Sequence, residues 1–244
     1  MFNLRLYIKD ILFNILQRRI LNYPVAILMY HSVGYNEQFF TVTPEAFSRQ
    51  MAHLKTGGYK VLSLKDVIDM LVSRTKIPPR TVVLTFDDGY EDNFTHAFPI
   101  LRQYNYLATI FISTNFIGEE RPVRETPMRH LTRKQILEMH DSKLIDFQPH
   151  GLSHSKLINL SPNDIEREMK ASKELLEELL GSTCNIFSYP FGSSDANVHA
   201  LARKLFVGAV GVKRGYVSQT SDIINLRRQS IDSKTSFSRF LLKI

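Results

Sequence analysis

Short apolar runs alternate with amphipathic stretches along most of this chain. The run Val25-Ala26-Ile27-Leu28-Met29-Tyr30 reads as a buried strand. Thr43-Pro44-Glu45 then sets a cap residue and a first-turn proline before a helix that stops at Gly57-Gly58. A short strand is predicted at 59–62. A helix follows from the cap Ser63 to about Val72, with Asp66 three residues on as a short capping box. Thr81-Val82-Val83-Leu84-Thr85-Phe86 is the clearest strand, apolar enough to be covered on both faces. Beyond it the pattern predicts a helical stretch to Tyr104, a strand over 108–112, a helix over 132–140 and a strand over 144–147. Ser161-Pro162 opens a long helix ended by Gly181; a strand at 186–188, a helix over 198–206 and a strand over 208–212 complete the series. This alternation predicts an α/β fold with a parallel sheet closed, or nearly closed, as a barrel, whose chemistry gathers at the C-terminal strand ends.

The first residues behave differently. Leu4, Ile8, Ile11, Leu12, Ile15 and Leu16 recur at helical spacing, with Arg5, Lys9, Arg18 and Arg19 interspersed. Residues 1–23 are therefore expected to form an amphipathic helix ahead of one domain over 24–244. The charges exclude a membrane span, which needs about 20 mostly apolar residues, and no compact apolar run marks a secretory signal. Two readings of the helix stand: it lies in a membrane interface, giving peripheral association through residues 1–22, or it packs on the domain. The expected location is the cytoplasm or the cytoplasmic face of the membrane.

Composition changes this picture little. A chain of 244 residues with 43% hydrophobic content supports one sizeable core. Cys184 is the single cysteine, so no internal disulfide forms, and it reads as a small buried residue. The net charge is +7, and the excess gathers after Arg203, where only Asp222 and Asp232 oppose it. Such a bias suits phospholipid or a lipid-linked phosphate, or is simply a solvated face. No nucleic-acid partner is expected.

The predicted strand ends carry the chemistry. Tyr30 is followed by His31, Phe86 by Asp87-Asp88-Gly89, the 144–147 strand by His150 and His154, and Ser188 by Tyr189-Pro190-Phe191-Gly192. Residues four apart share one side of a helical turn, so His150 and His154 can face one point. Two imidazoles and a carboxylate form a three-ligand site with room for water, a common catalytic zinc arrangement. A metal there would polarise a carbonyl and lower the pKa of its water to about 7. A second carboxylate could then take the proton, and Asp87 and Asp88 supply one for each task. Gly89 permits the sharp turn that lets both acids share the mouth.

These motifs resemble those of the polysaccharide deacetylases, the NodB-homology domain. Thr85-Phe86-Asp87-Asp88-Gly89-Tyr90 is similar to the first motif, His150-Gly151-Leu152-Ser153-His154 to the second and Tyr189-Pro190-Phe191-Gly192 to the third, over about 25–231. The resemblance implies a distorted (β/α)7 barrel, one divalent metal ion (zinc, or cobalt or nickel) and deacetylation of a carbohydrate. It implies Asp87 as general base, with Asp88, His150 and His154 as metal ligands. Phe191 would hold the oxyanion through its backbone N–H, with Tyr189 and Pro190 beside it at the substrate. Two departures follow. Ser188 stands where many members have Arg, and no histidine follows Phe206. Leu28-Met29-Tyr30-His31-Ser32-Val33 resembles a permuted branch in which the general-acid strand comes first, implying His31 as the acid. Arg228, in Leu226-Arg227-Arg228-Gln229, best matches the displaced arginine and would orient Asp87. The expected activity is metal-dependent removal of N-acetyl groups from an amino sugar in a polysaccharide, oligosaccharide or lipid-linked glycan. O-acetyl esterase or deformylase activity, and a non-catalytic glycan-binding barrel, remain alternatives.

Overall fold

The computed structural model describes residues 25–244 together with Leu12, so the expected N-terminal helix otherwise lies outside the described residues. Strand β1 (Ala26–Tyr30) leads to the short pair β2 (Ser32–Val33) and β3 (Thr41–Val42), helix α1 (Pro44–Thr56), β4 (Lys60–Val61), α2 (Leu64–Val72) and β5 (Thr81–Phe86). A π-helical turn (Asn93–Ala97) runs into α3 (Phe98–Tyr104), followed by β6 (Ala108–Ile112), the hairpin β7 (Glu120–Val123) and β8 (Thr126–Arg129), α4 (Arg133–Asp141) and β9 (Ile145–Pro149). The rest is α5 (Pro162–Leu180), β10 (Ile186–Ser188), α6 (Ala196–Leu205), β11 (Gly208–Arg214), β12 (Leu226–Ser230) and α7 (Phe237–Lys243).

Seven parallel strands follow one another in the order β10-β11-β12-β1-β5-β6-β9, with β4 beside the start of β5. The seam between β9 and β10 is bridged by side chains. Gln148 Oε1 accepts the Ile186 N–H at 2.9 Å, and His150 Nδ1 lies 2.7 Å from the Ser188 carbonyl. The result is the nearly closed, distorted (β/α)7 barrel that the motifs implied.

Strand alternation divides the side chains. Ile27, Val83, Phe111, Ile186, Val210 and Leu226 pack inside the barrel with Leu64, Val67, Ile68 and Leu71 of α2. Their neighbours Leu28, Leu84, Ile110 and Phe147 pack in a separate cluster with the outer helices. Helix α2 therefore plugs the bottom of the barrel, and the opposite end stays open for polar groups. The helix starts follow the sequence: Thr43, Ser63 and Ser161 each accept an N–H two or three residues into their helices, and Thr132 with Gln135 forms a full capping box. Cys184 is a buried free thiol whose pKa burial pushes up to about 12, as its reading as an inert core residue requires. The structure adds the β2–β3 pair, β12, the β7–β8 hairpin and α7 to the predicted elements. Among the described residues no helix is long and apolar enough to cross a membrane.

The plug has a testable contact. A Cβ at Gly208 would stand 2.6 Å from Ile68 Cδ1 and 3.3 Å from the Ile223 carbonyl. Gly208→Ala is expected to cost about 1–3 kcal/mol through overpacking. Adding Ile68→Val, which removes that Cδ1, should make the pair less destabilised than the sum of the singles in denaturant unfolding.

Candidate active site

The inward side of β5 continues past the strand, so Thr85 and Asp87 both face the barrel interior, fully shielded or nearly so. Asp87 meets Arg228 from β12. The guanidinium Nη1 and Nη2 donate to the two carboxylate oxygens at 2.7 and 2.6 Å. Arg228 has no exposed surface, and its other donors are used: Nε on the Gly211 carbonyl at 2.8 Å, Nη1 also on Thr85 Oγ1, and Nη2 also on Ser188 Oγ. Burial works to raise the Asp87 pKa, but the Arg228 and His150 charges and the hydrogen bonds of Arg228 outweigh it and hold the carboxyl below its usual range. The arginine that sequence comparison placed on Asp87 is thus in contact with it.

Asp88 and Gly89 both take positive φ, 71° and 69°. This double left-handed turn points the two acids to the same mouth, and glycine is required at the second position because a Cβ there would collide with Ile112 Cδ1. Asp88 Oδ1 lies 3.1 Å from His154 Nε2 and 3.5 Å from His150 Nε2. Neither approach has hydrogen-bond geometry, which leaves Oδ1 a buried oxygen without a hydrogen-bond partner among the described residues. Burial opposes ionisation of Asp88, but His154, His31 and His150 together hold its carboxyl far below the usual range. One donor atom each from Asp88, His150 and His154, which could together hold a metal ion, lie within 4.8 Å of one another.

His150 presents a defined tautomer. Its Nδ1 faces the Ser188 carbonyl, which can only accept, so Nδ1 carries the hydrogen and Nε2 keeps its lone pair. Burial pushes its pKa down to about 4, so the ring is neutral near pH 7. The expected helical turn between His150 and His154 does not form. Gly151 and His154 instead take positive φ, 78° and 55°, and the loop wraps around Glu168 of α5. The Glu168 carboxylate accepts the Leu152 and Ser153 N–H groups at 2.8 and 3.0 Å and the Ser153 hydroxyl at 2.6 Å. A buried carboxylate thus replaces helical hydrogen bonding as the device that brings the two rings within 5.0 Å.

His31 follows β1 and lines the same cavity, of about 490 Å³. Its carbonyl accepts from Asn93 Nδ2 at 2.8 Å, its ring lies 5.4 Å from Phe40, and its buried Nδ1 has no partner among the described residues. Phe191 projects into the mouth at φ 57°, its ring 4.4 Å from His154. Tyr189 does not join it. Its ring is buried in the core beside Phe187, and its hydroxyl donates to the Ile224 carbonyl at 2.8 Å. Alternation along β10 sends Ser188 inward and Tyr189 outward. Pro190 is buried too and is not part of the cavity wall. Of residues 189–191, all expected at the substrate, only Phe191 lines the cavity.

Several wall residues had no sequence signal. His130 is buried beside Tyr90 and Phe116 and lines the cavity. Phe39 and Phe40 from the β2–β3 loop and Arg121 and Arg124 from the hairpin complete the mouth.

A barrel with an Asp-His-His cluster and a buried Asp–Arg pair at its open end defines a class, and sequence likeness identifies it. The pattern of the family described as polysaccharide deacetylase matches residues 74–210. YxkH of Bacillus subtilis (strain 168), named for polysaccharide deacetylation, is 32% identical over 215 residues, covering 88% of this chain and 74% of its own. The poly-beta-1,6-N-acetyl-D-glucosamine N-deacetylase of Staphylococcus epidermidis is 28% identical over 77% of this chain, which spans 66% of that enzyme. The Streptococcus pyogenes deacetylase PplD, solved in complex with acetate, superimposes with a TM-score of 0.79 at 30% identity, over 90% of this chain and 97% of that one. The chain belongs to the polysaccharide deacetylase family.

Removing the guanidinium would leave Asp87 buried and unpaired. Arg228→Leu is expected to cost about 3–5 kcal/mol in chemical unfolding. The pH response carries the sign of a depressed carboxylate. Asp87 adds stability above its unfolded pKa of about 3.9, and that stability is lost as pH falls through its folded value. Asp87→Asn should remove this part of the acid unfolding measured below about pH 4.

Proposed function

We propose that this protein is a metal-dependent N-deacetylase of an acetylated amino sugar. The orphaned Asp88 Oδ1 between two imidazole Nε2 atoms is the observation that carries the metal assignment. The donor set of one carboxylate and two imidazoles fits zinc, with cobalt or nickel as related ions. Bound there, a divalent ion supplies Lewis-acid polarisation of the acetyl carbonyl and acidifies water.

The chain's own groups divide the remaining work. Asp87, ionised by Arg228, accepts a proton from the water that attacks the acetyl carbon. The Phe191 N–H donates to the oxygen on which negative charge develops. His31, on the cavity wall at the end of β1, gives a proton to the departing nitrogen. The C–N bond then breaks, releasing acetate and a free amine. This role for His31 follows the motif order in which the acid strand comes first. Phe39, Phe40 and Phe191 supply apolar faces for sugar rings. The same centre can cleave an O-acetyl ester, but the N-deacetylase activity for which the staphylococcal relative is named favours the amide.

Acetate release from acetylated glucosamine oligomers tests the proposal. Activity should disappear with chelator and return on adding zinc, and Asp87→Asn should lower kcat by at least about a hundredfold. Chelator-resistant turnover, or full activity in Asp87→Asn, contradicts the mechanism. Glu168 holds the loop of both histidines, so Glu168→Gln should weaken zinc affinity about 10–100-fold in chelator competition. An unchanged affinity would confine Glu168 to a packing role.

A further inference from the structure

The mouth of the cleft is ringed by cations that no carboxylate among the described residues neutralises. Arg121 lies over the Phe116 ring at 4.2 Å, Arg124 over Phe39 at 4.7 Å and Lys156 over Phe191 at 5.5 Å. Phe116, Phe39 and Phe191 all line the cavity, as do the two arginines themselves. None of the three cations has an ion-pair partner among the described residues. Among the described residues, the acids of the cavity wall are Asp87 and Asp88 alone. Arg228 neutralises the first, and the second faces the histidine cluster.

The hairpin sorts its charges by face. Arg121 stands opposite Met128, which is buried with Phe40 and Tyr90, so this register position faces the cleft. Glu120 stands opposite Arg129 and pairs with it at 2.8 Å on the exposed side. Acid and base alternate along one short strand, and the base is the one turned to the site. The arginines are also held in place. Gln38 Nε2 donates to the Val123 carbonyl, and the Ser233 N–H and hydroxyl both donate to the Phe39 carbonyl. Stacking on a ring fixes a guanidinium plane while leaving its N–H edge free, a geometry suited to bidentate capture of an oxyanion.

We infer that Arg121 and Arg124 form a subsite for an anionic group, a phosphate or a carboxylate, carried by the glycan next to the acetamido sugar. The inference rests on the deacetylase reading and supplies its substrate class. A neutral homopolymer would leave two arginines at the mouth uncompensated, whereas an anionic glycan uses both.

The test compares oligosaccharides of equal length built on N-acetylglucosamine: one neutral, one bearing a phosphate and one bearing a uronic acid. The zinc-loaded enzyme should favour at least one anionic oligomer by about tenfold in kcat/KM, mainly through KM, and high salt should shrink the preference. In the double variant Arg121→Gln with Arg124→Gln the ratio of anionic to neutral should fall towards unity. Equal kcat/KM on all three oligomers, or a preference that survives the double variant, overturns the subsite. Calorimetric binding gives the same ratio without turnover. Anion-selective binding that the double variant loses supports the subsite even where no oligomer is hydrolysed, and that combination counts against the deacetylase reading alone. Binding without selectivity overturns the subsite.

Discussion

The Asp87–Arg228 pair is the constraint around which the upper barrel is arranged. A fully buried guanidinium is tolerable only if its charge is matched and its donors are used. Here one side chain reaches Asp87 and Thr85 of the β5 segment, Ser188 of β10 and the Gly211 carbonyl of β11, from its own place on β12. The register between β11 and β12 shifts between Val210 and Arg214, and Gly211 lies inside that shift. A carbonyl at the irregular segment is thereby available to the arginine. The irregular segment of the barrel and the polar side chains of its interior thus meet at one buried guanidinium and the carboxylate it pairs with.

The lower half of the barrel needs no such device, and it is the half that the sequence displays best. Inward positions there are Ile27, Val83 and Leu226, packed on α2, and the strands that hold them read as apolar runs. β12 was not legible as a strand because its inward residue after Leu226 is Arg228, which breaks the pattern at the functional level. The β7–β8 hairpin was hidden for another reason. Pro122 and Pro127 face each other across it, and prolines demote a run as a strand. The His150–His154 spacing pointed correctly to convergence and wrongly to a helix. A loop with two left-handed residues around Glu168 meets the same distance requirement, and nothing in a four-residue spacing distinguishes the two. His130 sits in no motif and reaches the cavity only because the hairpin returns it beside Tyr90.

The site also shows how distant sequence segments become neighbours. The family pattern spans 74–210 and so contains Asp87, Asp88, both histidines and Phe191, but neither His31 nor Arg228. Those two residues come from the first and last strands of the described barrel. β1 pairs with β12 on one side and β5 on the other. The strands bearing Arg228, His31 and Asp87 are therefore adjacent in the order β12-β1-β5. Along the chain Arg228 is separated from both His31 and Asp87 by more than half its length; across the sheet all three lie within three strands of about 4.8 Å spacing. A nearly closed barrel makes chain order nearly irrelevant to which strand ends share the mouth. The barrel can thus take polar groups at its mouth from either end of the chain, provided that the strand carrying them enters the sheet near β5. That is the physical basis on which a histidine at position 31 can face a carboxylate at position 87 whose partner lies at 228.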